Sequence, residues 1–104
     1  MAQFDIHRNT AADADFPYLL DVQSDFLDRL HTRLVVPLMA LDRFGAPIER
    51  LNPVFEVAGE GGAYVGVFTE MAGVPRNLLG EVVDSAAARR HEIVAAVDFM
   101  IQGF

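Results

Sequence analysis

The residues best suited to chemistry are three carboxylates, Asp21, Asp25 and Asp28, which surround Ser24. Carboxylates at this spacing could serve as a general acid and a general base, or could help to activate the serine hydroxyl. However, no histidine lies close in sequence to take the proton from Ser24. Asp and Ser also commonly accept hydrogen bonds from the local backbone in turns and caps. We therefore predict turn and cap roles for these residues, and no catalytic site.

Metal and nucleotide sites are not indicated either. The three histidines, His7, His31 and His91, lie in separate segments, and none has a second histidine at the spacing of a metal site. We predict surface positions for all three and no metal. The glycines match no phosphate-binding or dinucleotide-binding motif, and the chain contains no lysine. No cofactor is expected.

Composition and charge restrict the class of protein. The chain of 104 residues has 15 acidic and eight basic side chains, a net charge of -7, and no cysteine. This length predicts one domain, 1–104, and the acidic balance argues against binding nucleic acid. The absence of cysteine and of a basic, apolar leader predicts a cytoplasmic protein. The longest apolar run, residues 34–41, contains Pro37 and is too short to span a membrane.

The hydrophobic pattern predicts a mainly β domain. Residues 61 and 62 are glycines that can form a tight reversal between two runs of strand formers, which is the clearest hairpin in the chain. Segment 23–33 could be a loop or a brief helical turn. Segments 43–47 and 71–75 contain glycine and proline and are predicted turns. The predicted strands or short apolar segments are 3–8, 18–22, 34–41, 53–57, 64–69 and 78–83.

A helix is predicted at the C-terminal end. Asp84 or Ser85 can cap its first turn, and Gly103 lies where a helix commonly ends. Five apolar residues at spacings of three and four predict the stripe that packs on the sheet. These residues are Ile93, Val94, Val97, Met100 and Ile101.

Phe99 lies outside this predicted core stripe, on a flank that it shares with Ala95 and Ala96. Three polar residues are predicted to project from the side opposite the core, namely His91, Asp98 and Gln102. Leaving a phenylalanine in water forgoes about 1.5–3 kcal/mol of burial free energy, so either a partner protein or a neighbouring loop is expected to cover it. Phe104, directly after the capping glycine, raises the same question. The helix end is therefore predicted to contact another protein.

Several segments, in order along the chain, resemble the CcdB family of toxins. They are Gln3-Phe4, Asp21-Val22-Gln23-Ser24-Asp25, Leu34-Val35-Val36-Pro37-Leu38, Thr69-Glu70-Met71-Ala72-Gly73-Val74-Pro75, Gly80-Glu81-Val82-Val83 and the final helix with Gly103-Phe104. The resemblance implies an SH3-like antiparallel β-barrel with a C-terminal α-helix, assembled as a homodimer. It also implies a non-enzymatic toxin that binds the A subunit of DNA gyrase, traps the cleaved-DNA complex, and is neutralised by a CcdA-like antitoxin.

Carried over position by position, the resemblance also implies a gyrase-binding surface on the loop and the helix. Its residues are Phe26, Leu27, His91, Val94, Ala95, Asp98, Phe99, Gln102, Gly103 and Phe104. The chain departs from the family ending of Trp-Gly-Ile, since Gln102 replaces the tryptophan and Phe104 the isoleucine. Gln102 cannot provide the contact area of a tryptophan, whereas Phe104 could supply an aromatic contact from another direction.

Two alternatives remain open at the level of sequence. One is an endoribonuclease of the MazF type, which shares the fold and could use Arg33 with Asp25 to cleave RNA. The net negative charge argues against that reading. The other is a non-toxic relative that only binds an antitoxin.

Overall fold

The computed structural model describes residues 1–103, so Phe104 lies outside the described residues. Seven antiparallel strands, two α-helices and four short 3-10 turns account for the regular structure of this part of the chain. The strands are β1 (Asp5–Asn9), β2 (Tyr18–Asp21), β3 (Thr32–Ala40), β4 (Val54–Glu56), β5 (Ala63–Gly66), β6 (Ala72–Pro75) and β7 (Leu79–Ser85). The helices are α1 (Leu41–Phe44) and α2 (Arg90–Gln102).

The strands form one curled sheet in the order β4-β5-β3-β2-β1-β7. The long strand β3 is its centre, because it pairs with β2 on one side and with both β5 and β6 on the other. Helix α2 packs across the concave face. The expected β+α fold, a barrel-like antiparallel sheet with a C-terminal helix, is therefore confirmed.

The core lies between this concave face and α2. Alternate residues of β1, β2 and β3 point into it because successive side chains in a strand point to opposite faces. Its buried members include Phe4, Ile6, Tyr18, Leu20, Val36, Leu38, Phe55, Val57, Phe68, Ala86, Ile93 and Ala96. A smaller cluster of Leu19, Val35 and Leu79 lies on the other face.

The predicted hairpin is confirmed. Strands β4 and β5 pair antiparallel, with Val54 opposite Val65 and Glu56 opposite Ala63. The connection between them has positive φ at Gly61 and Gly62, +69° and +74°, which glycine adopts without steric cost.

The helix end was predicted correctly, but its start was not. Gly103 has a left-handed conformation, and its amide donates to the carbonyl of Phe99 at 2.8 Å. Asp84 and Ser85, the predicted caps, instead end β7, because both pair with β1. The Ser85 hydroxyl accepts from the amide of Ala87 and opens a 3-10 turn that leads into α2 at Arg90.

The core stripe of α2 differs from the prediction. Ile93 is buried, and Val97 and Met100 pack on the core, but Val94 and Ile101 are 42% and 74% exposed. The predicted flank residue Ala96 is fully buried instead. The observed stripe shares Ile93, Val97 and Met100 with the predicted one. The contact with the core brings in the small Ala96 and leaves Val94 and Ile101 outside.

Segments 71–75 and 43–47 also differ from their predictions. The first was expected to be a turn, but most of it forms β6, which pairs with the first half of β3. The second, a predicted turn, is occupied in part by the single-turn helix α1, which ends at Phe44 with Gly45 as its C-cap. Segment 23–33 was predicted to be either a loop or a brief helical turn. It contains a 3-10 turn, Asp25–Leu27, so the second alternative is correct.

Within residues 1–103, no helix is long and apolar enough to span a bilayer.

Candidate functional site

The turn between β2 and β3 presents an aromatic side chain to solvent. Phe26 is 95% exposed and Leu27 is half exposed, although large apolar side chains usually lie inside a protein. Ser24 caps the turn by accepting from the amide of Phe26 at 3.2 Å. We call residues 24–28 the Phe26 turn. The predicted cap role of Ser24 is thereby confirmed.

A buried arginine, Arg33, is hydrogen-bonded to the end of the Phe26 turn. Arg33 has no exposed surface, and its guanidinium donates to Asp21 Oδ2 from Nε at 3.0 Å and from Nη2 at 2.6 Å. Its Nη1 donates to Asp28 Oδ1 at 2.9 Å. Arg76 donates to the backbone carbonyl of Asp28 at 2.6 Å. The end of the turn is therefore held by two guanidinium groups.

The outer face of α2 is the second part of the candidate surface. His91, Val94, Ala95, Asp98 and Gln102 are exposed, and their spacing of three to four residues places them on one side of the helix. Gly103 is exposed at its end. We call these six residues the outer helix face. Phe104, the last residue implied by the family resemblance, lies outside the described residues.

Phe99 is partly covered within its own chain. Its side chain is half-buried, and the guanidinium of Arg50 lies 5.1 Å from the centre of its ring, a cation–π contact. A neighbouring loop therefore covers part of the ring, as one of the two explanations from the sequence expected. Contact of the remaining surface with a partner protein stays a prediction.

Gln3 connects the Phe26 turn to the first turn of α2. Its backbone amide donates to Asp25 Oδ1 at 2.9 Å, and its side-chain amide donates to the carbonyl of Val22 at 3.2 Å. Its side-chain oxygen accepts from Arg90 at 3.2 Å. The exposed turn and the helix are therefore neighbours on one side of the molecule.

An apolar cleft of about 190 Å³ lies beside the outer helix face, and Gln3 is part of its wall. Leu34 and Val94 stand at its edge, 37% and 42% exposed. Leu34 and Gln3 were not predicted as part of the site, because their position beside the helix depends on the curl of the sheet. The only signal was their presence in segments that resemble the family. The cleft is lined by Gln3, Phe4, Val22, Leu34, Met71, Ile93, Val94, Val97 and Asp98.

The predicted surface position of His7 was wrong. The side chain is 2% exposed, its Nδ1 lies 2.9 Å from the carbonyl oxygen of Gly80, and its buried Nε2 has no hydrogen-bond partner in residues 1–103. His31 and His91 are exposed, as predicted. Nowhere in the described chain do three histidine, aspartate or glutamate side chains come close enough together to hold a metal ion.

The Arg33–Asp25 pair considered for RNA cleavage is not formed. Arg33 is buried against Asp21 and Asp28, whereas the Asp25 carboxylate accepts the amide of Gln3. A guanidinium with no exposed surface cannot meet a phosphate unless the fold opens. The pair of residues on which the endoribonuclease alternative depended is therefore not assembled.

The fold and the surface together define a class of protein, a small barrel-like β+α domain that exposes an aromatic turn beside its C-terminal helix. The family model described as CcdB protein matches residues 3–103. The chain therefore belongs to the CcdB family, which comprises toxins of toxin–antitoxin systems.

Proposed function

We propose that this chain is a toxin that binds the A subunit of DNA gyrase and traps the cleaved-DNA complex without carrying out chemistry of its own. The proposal rests on family membership over residues 3–103. The contacts would come from Phe26 and Leu27 on the turn, together with the outer helix face, Phe99 and Phe104.

The exposed Phe26 turn is the structural observation that supports the proposal best. A phenylalanine with 95% of its surface in water gains burial free energy only when another molecule covers it. Aromatic side chains of this kind commonly carry much of the binding energy of protein interfaces. On the helix, Asp98 and Gln102 would add polar contacts at the edge of the interface.

A supercoiling assay tests gyrase as the target. Purified protein is expected to inhibit gyrase, and to increase the fraction of plasmid recovered as linear DNA after detergent and protease treatment. Deleting residues 102–104 should abolish both effects and leave the circular dichroism spectrum unchanged. If the shortened protein inhibits equally well, the helix end is not part of the site.

A matched pair of variants separates the turn from general surface hydrophobicity. Phe26→Ser is expected to weaken gyrase inhibition at least tenfold, because it removes the exposed aromatic. Ile48→Ser removes another exposed apolar side chain, 56% exposed, outside the proposed surface. That variant should inhibit like the unchanged protein, and equal losses in both would argue against a specific role for Phe26.

The same proposal includes a homodimer and neutralisation by a cognate CcdA-like antitoxin. Light scattering should give twice the mass of the chain. Co-expression of the reading frame upstream of the gene should restore the growth of bacteria that the toxin arrests.

Incubation of the purified protein with mixed-sequence RNA tests the endoribonuclease alternative. The RNA should stay intact, and specific cleavage would favour that alternative instead.

A further inference from the structure

The segment that carries Phe26 has no anchor in the core. All eight residues from 25 to 32 are exposed, so none of their side chains is buried. A surface segment with few buried apolar contacts opens locally at a small cost in free energy. The conformation of this segment therefore depends on the hydrogen bonds that other parts of the chain make to it.

Arg76 makes hydrogen bonds to the second half of this segment. The antiparallel pairing of β6 with the start of β3 places Arg76, the residue after β6, beside the residues that precede β3. Its Nη1 donates to the backbone carbonyls of Asp28 and Leu30, at 2.6 and 3.1 Å. Its backbone amide donates to the carbonyl of His31 at 3.3 Å. A residue from a distant part of the chain therefore holds three carbonyls of the segment.

Other parts of the chain hold the segment differently. Gln23 donates from its side chain to the carbonyl of Leu27, at 2.9 Å. Arg33 donates to the carboxylate of Asp28 and to no backbone group of the segment. Within residues 1–103, Arg76 is therefore the one side chain that hydrogen-bonds backbone carbonyls after Leu27 in this segment.

An arginine suits this contact chemically. A guanidinium presents several N–H donors in fixed directions, so one side chain can bind carbonyl and carboxylate oxygens together. Besides the two carbonyls, Nη2 of Arg76 lies 3.6 Å from Oδ1 of Asp28. The two side chains are 34% and 53% exposed, and ion pairs at such exposure contribute little to global stability. The contact therefore directs the backbone of the turn more than it stabilises the domain.

We propose that Arg76 is a positioning residue for binding of the gyrase A subunit, because it holds the Phe26 turn in the conformation that exposes Phe26 and Leu27. This inference rests on the proposed function. Arg76 acts through the turn and does not itself need to contact gyrase. A turn that is already held in its binding form loses less conformational entropy when a partner covers it, so removing the contact should weaken binding and leave the domain folded.

Hydrogen exchange of the free protein tests the contact in the absence of gyrase. Arg76→Met removes the donors and keeps an unbranched side chain. The amides of Asp28 and Leu30 donate to carbonyls within the segment, and we expect them to exchange at least about threefold faster in this variant. Exchange of the β3 amides that pair with β2 should not change. The matched control is Arg43→Met, which removes the same charge from an arginine that is 56% exposed and pairs with Asp15. This control should leave exchange in the segment unchanged.

Calorimetry with the gyrase A subunit tests the consequence for binding. Arg76→Met is expected to weaken binding about three- to tenfold, whereas Arg43→Met should bind like the unchanged protein. A double-mutant cycle with Phe26→Ser separates positioning from direct contact. Because Arg76 acts through the turn, Arg76→Met should weaken binding by less than about twofold once Phe26 is already replaced. If Arg76→Met does not fold, Arg76→Lys, which lacks the planar guanidinium, takes its place in both measurements.

Any one of four results would overturn the inference and leave the proposed function standing. The first two are unchanged exchange at Asp28 and Leu30 in Arg76→Met, and binding by that variant as strong as that of the unchanged protein. The third is an equal loss of binding in the two arginine variants. The fourth is that the losses of Arg76→Met and Phe26→Ser simply add, since Arg76 would then contact gyrase itself. If the unchanged protein does not bind the gyrase A subunit, the proposed function fails, and this inference fails with it.

Discussion

Arg33 and Phe26 lie close together in the chain, and each occupies the environment that its type usually avoids. The arginine has no exposed surface, whereas the phenylalanine is 95% exposed. The difference lies in their partners. Arg33 has two carboxylates that satisfy its guanidinium, so burial is tolerable, whereas Phe26 has no apolar cover within residues 1–103.

Arg33 and the Phe26 turn are connected through Asp28. This residue ends the Phe26 turn, and its carboxylate accepts from Arg33. The ion pair between Arg33 and Asp28 therefore restrains the backbone of the turn that carries the exposed aromatic. A restrained backbone loses less conformational entropy when a partner binds the turn, which favours binding. We infer that the buried charges serve stability, and we propose that the exposed ring serves recognition. The following variants test that division.

The largest expected effect is on stability, from Arg33→Met. This variant leaves the fully buried Asp21 without its guanidinium partner, which we expect to lower the free energy of unfolding by about 3–5 kcal/mol. Urea denaturation followed by circular dichroism measures it. The matched control is Asp28→Asn, whose side chain is 53% exposed and which should cost less than about 1 kcal/mol. Equal costs for the two variants would contradict the assigned role of burial.

Phe26→Ser should show the opposite pattern. Because the ring contacts little of its own chain, we expect the free energy of unfolding to change by less than about 0.5 kcal/mol. Binding to the gyrase A subunit, measured by calorimetry, should weaken by more than about 1.4 kcal/mol, or tenfold. A large loss of stability in Phe26→Ser would show that the turn is part of the core, and the division between the two regions would then fail.

The smallest expected effect comes from an ionic cluster in which the Arg8 side chain is 46% exposed and that of Glu60 18%. Arg8 donates to Glu60 at 3.0 and 3.1 Å, and the hydroxyl of Tyr18 also donates to Glu60. These hydrogen bonds, that of Tyr18 first, hold the pKa of Glu60 below its ordinary value. A carboxylate with a lowered pKa stabilises the fold above its unfolded-state pKa, and this contribution disappears as the pH falls through the folded-state pKa.

We therefore expect Glu60→Gln to lower Tm slightly at pH 7. As the pH falls from about 5 to about 3, the Tm of the unchanged protein should approach that of the variant. Thermal unfolding followed at several pH values measures the difference. A gap that widens in acid would show that the carboxylate of Glu60 is not the stabilising form.

Much of the fold was predictable because it depends on neighbours in sequence. The β4–β5 hairpin and the helix end at Gly103 follow from backbone preferences of glycine, which act over a few residues. Strand β6 was missed because Ala72–Pro75 has weak strand preference and becomes a strand only through pairing with β3. Likewise, His7 was placed at the surface because nothing in the sequence shows that β7 covers it.

The candidate surface was only partly predictable. Residue reasoning placed His91, Asp98 and Gln102 on the outward side of the helix, and all three are exposed. It put Val94 in the core, where the structure does not have it. Phe26 and Leu27 were named through the family resemblance alone, because an isolated phenylalanine in a polar loop does not reveal whether it is covered.

The sequence by itself determined the class of the fold, the family and the absence of cysteine chemistry, since these follow from composition, local preferences and the order of motifs. Only the tertiary structure decided which side chains are enclosed. It paired Arg33 with Asp21 and Asp28, placed Arg50 over the ring of Phe99, and left Phe26 in water. Burial depends on which elements meet across the curled sheet, and those contacts join residues that are distant in the chain.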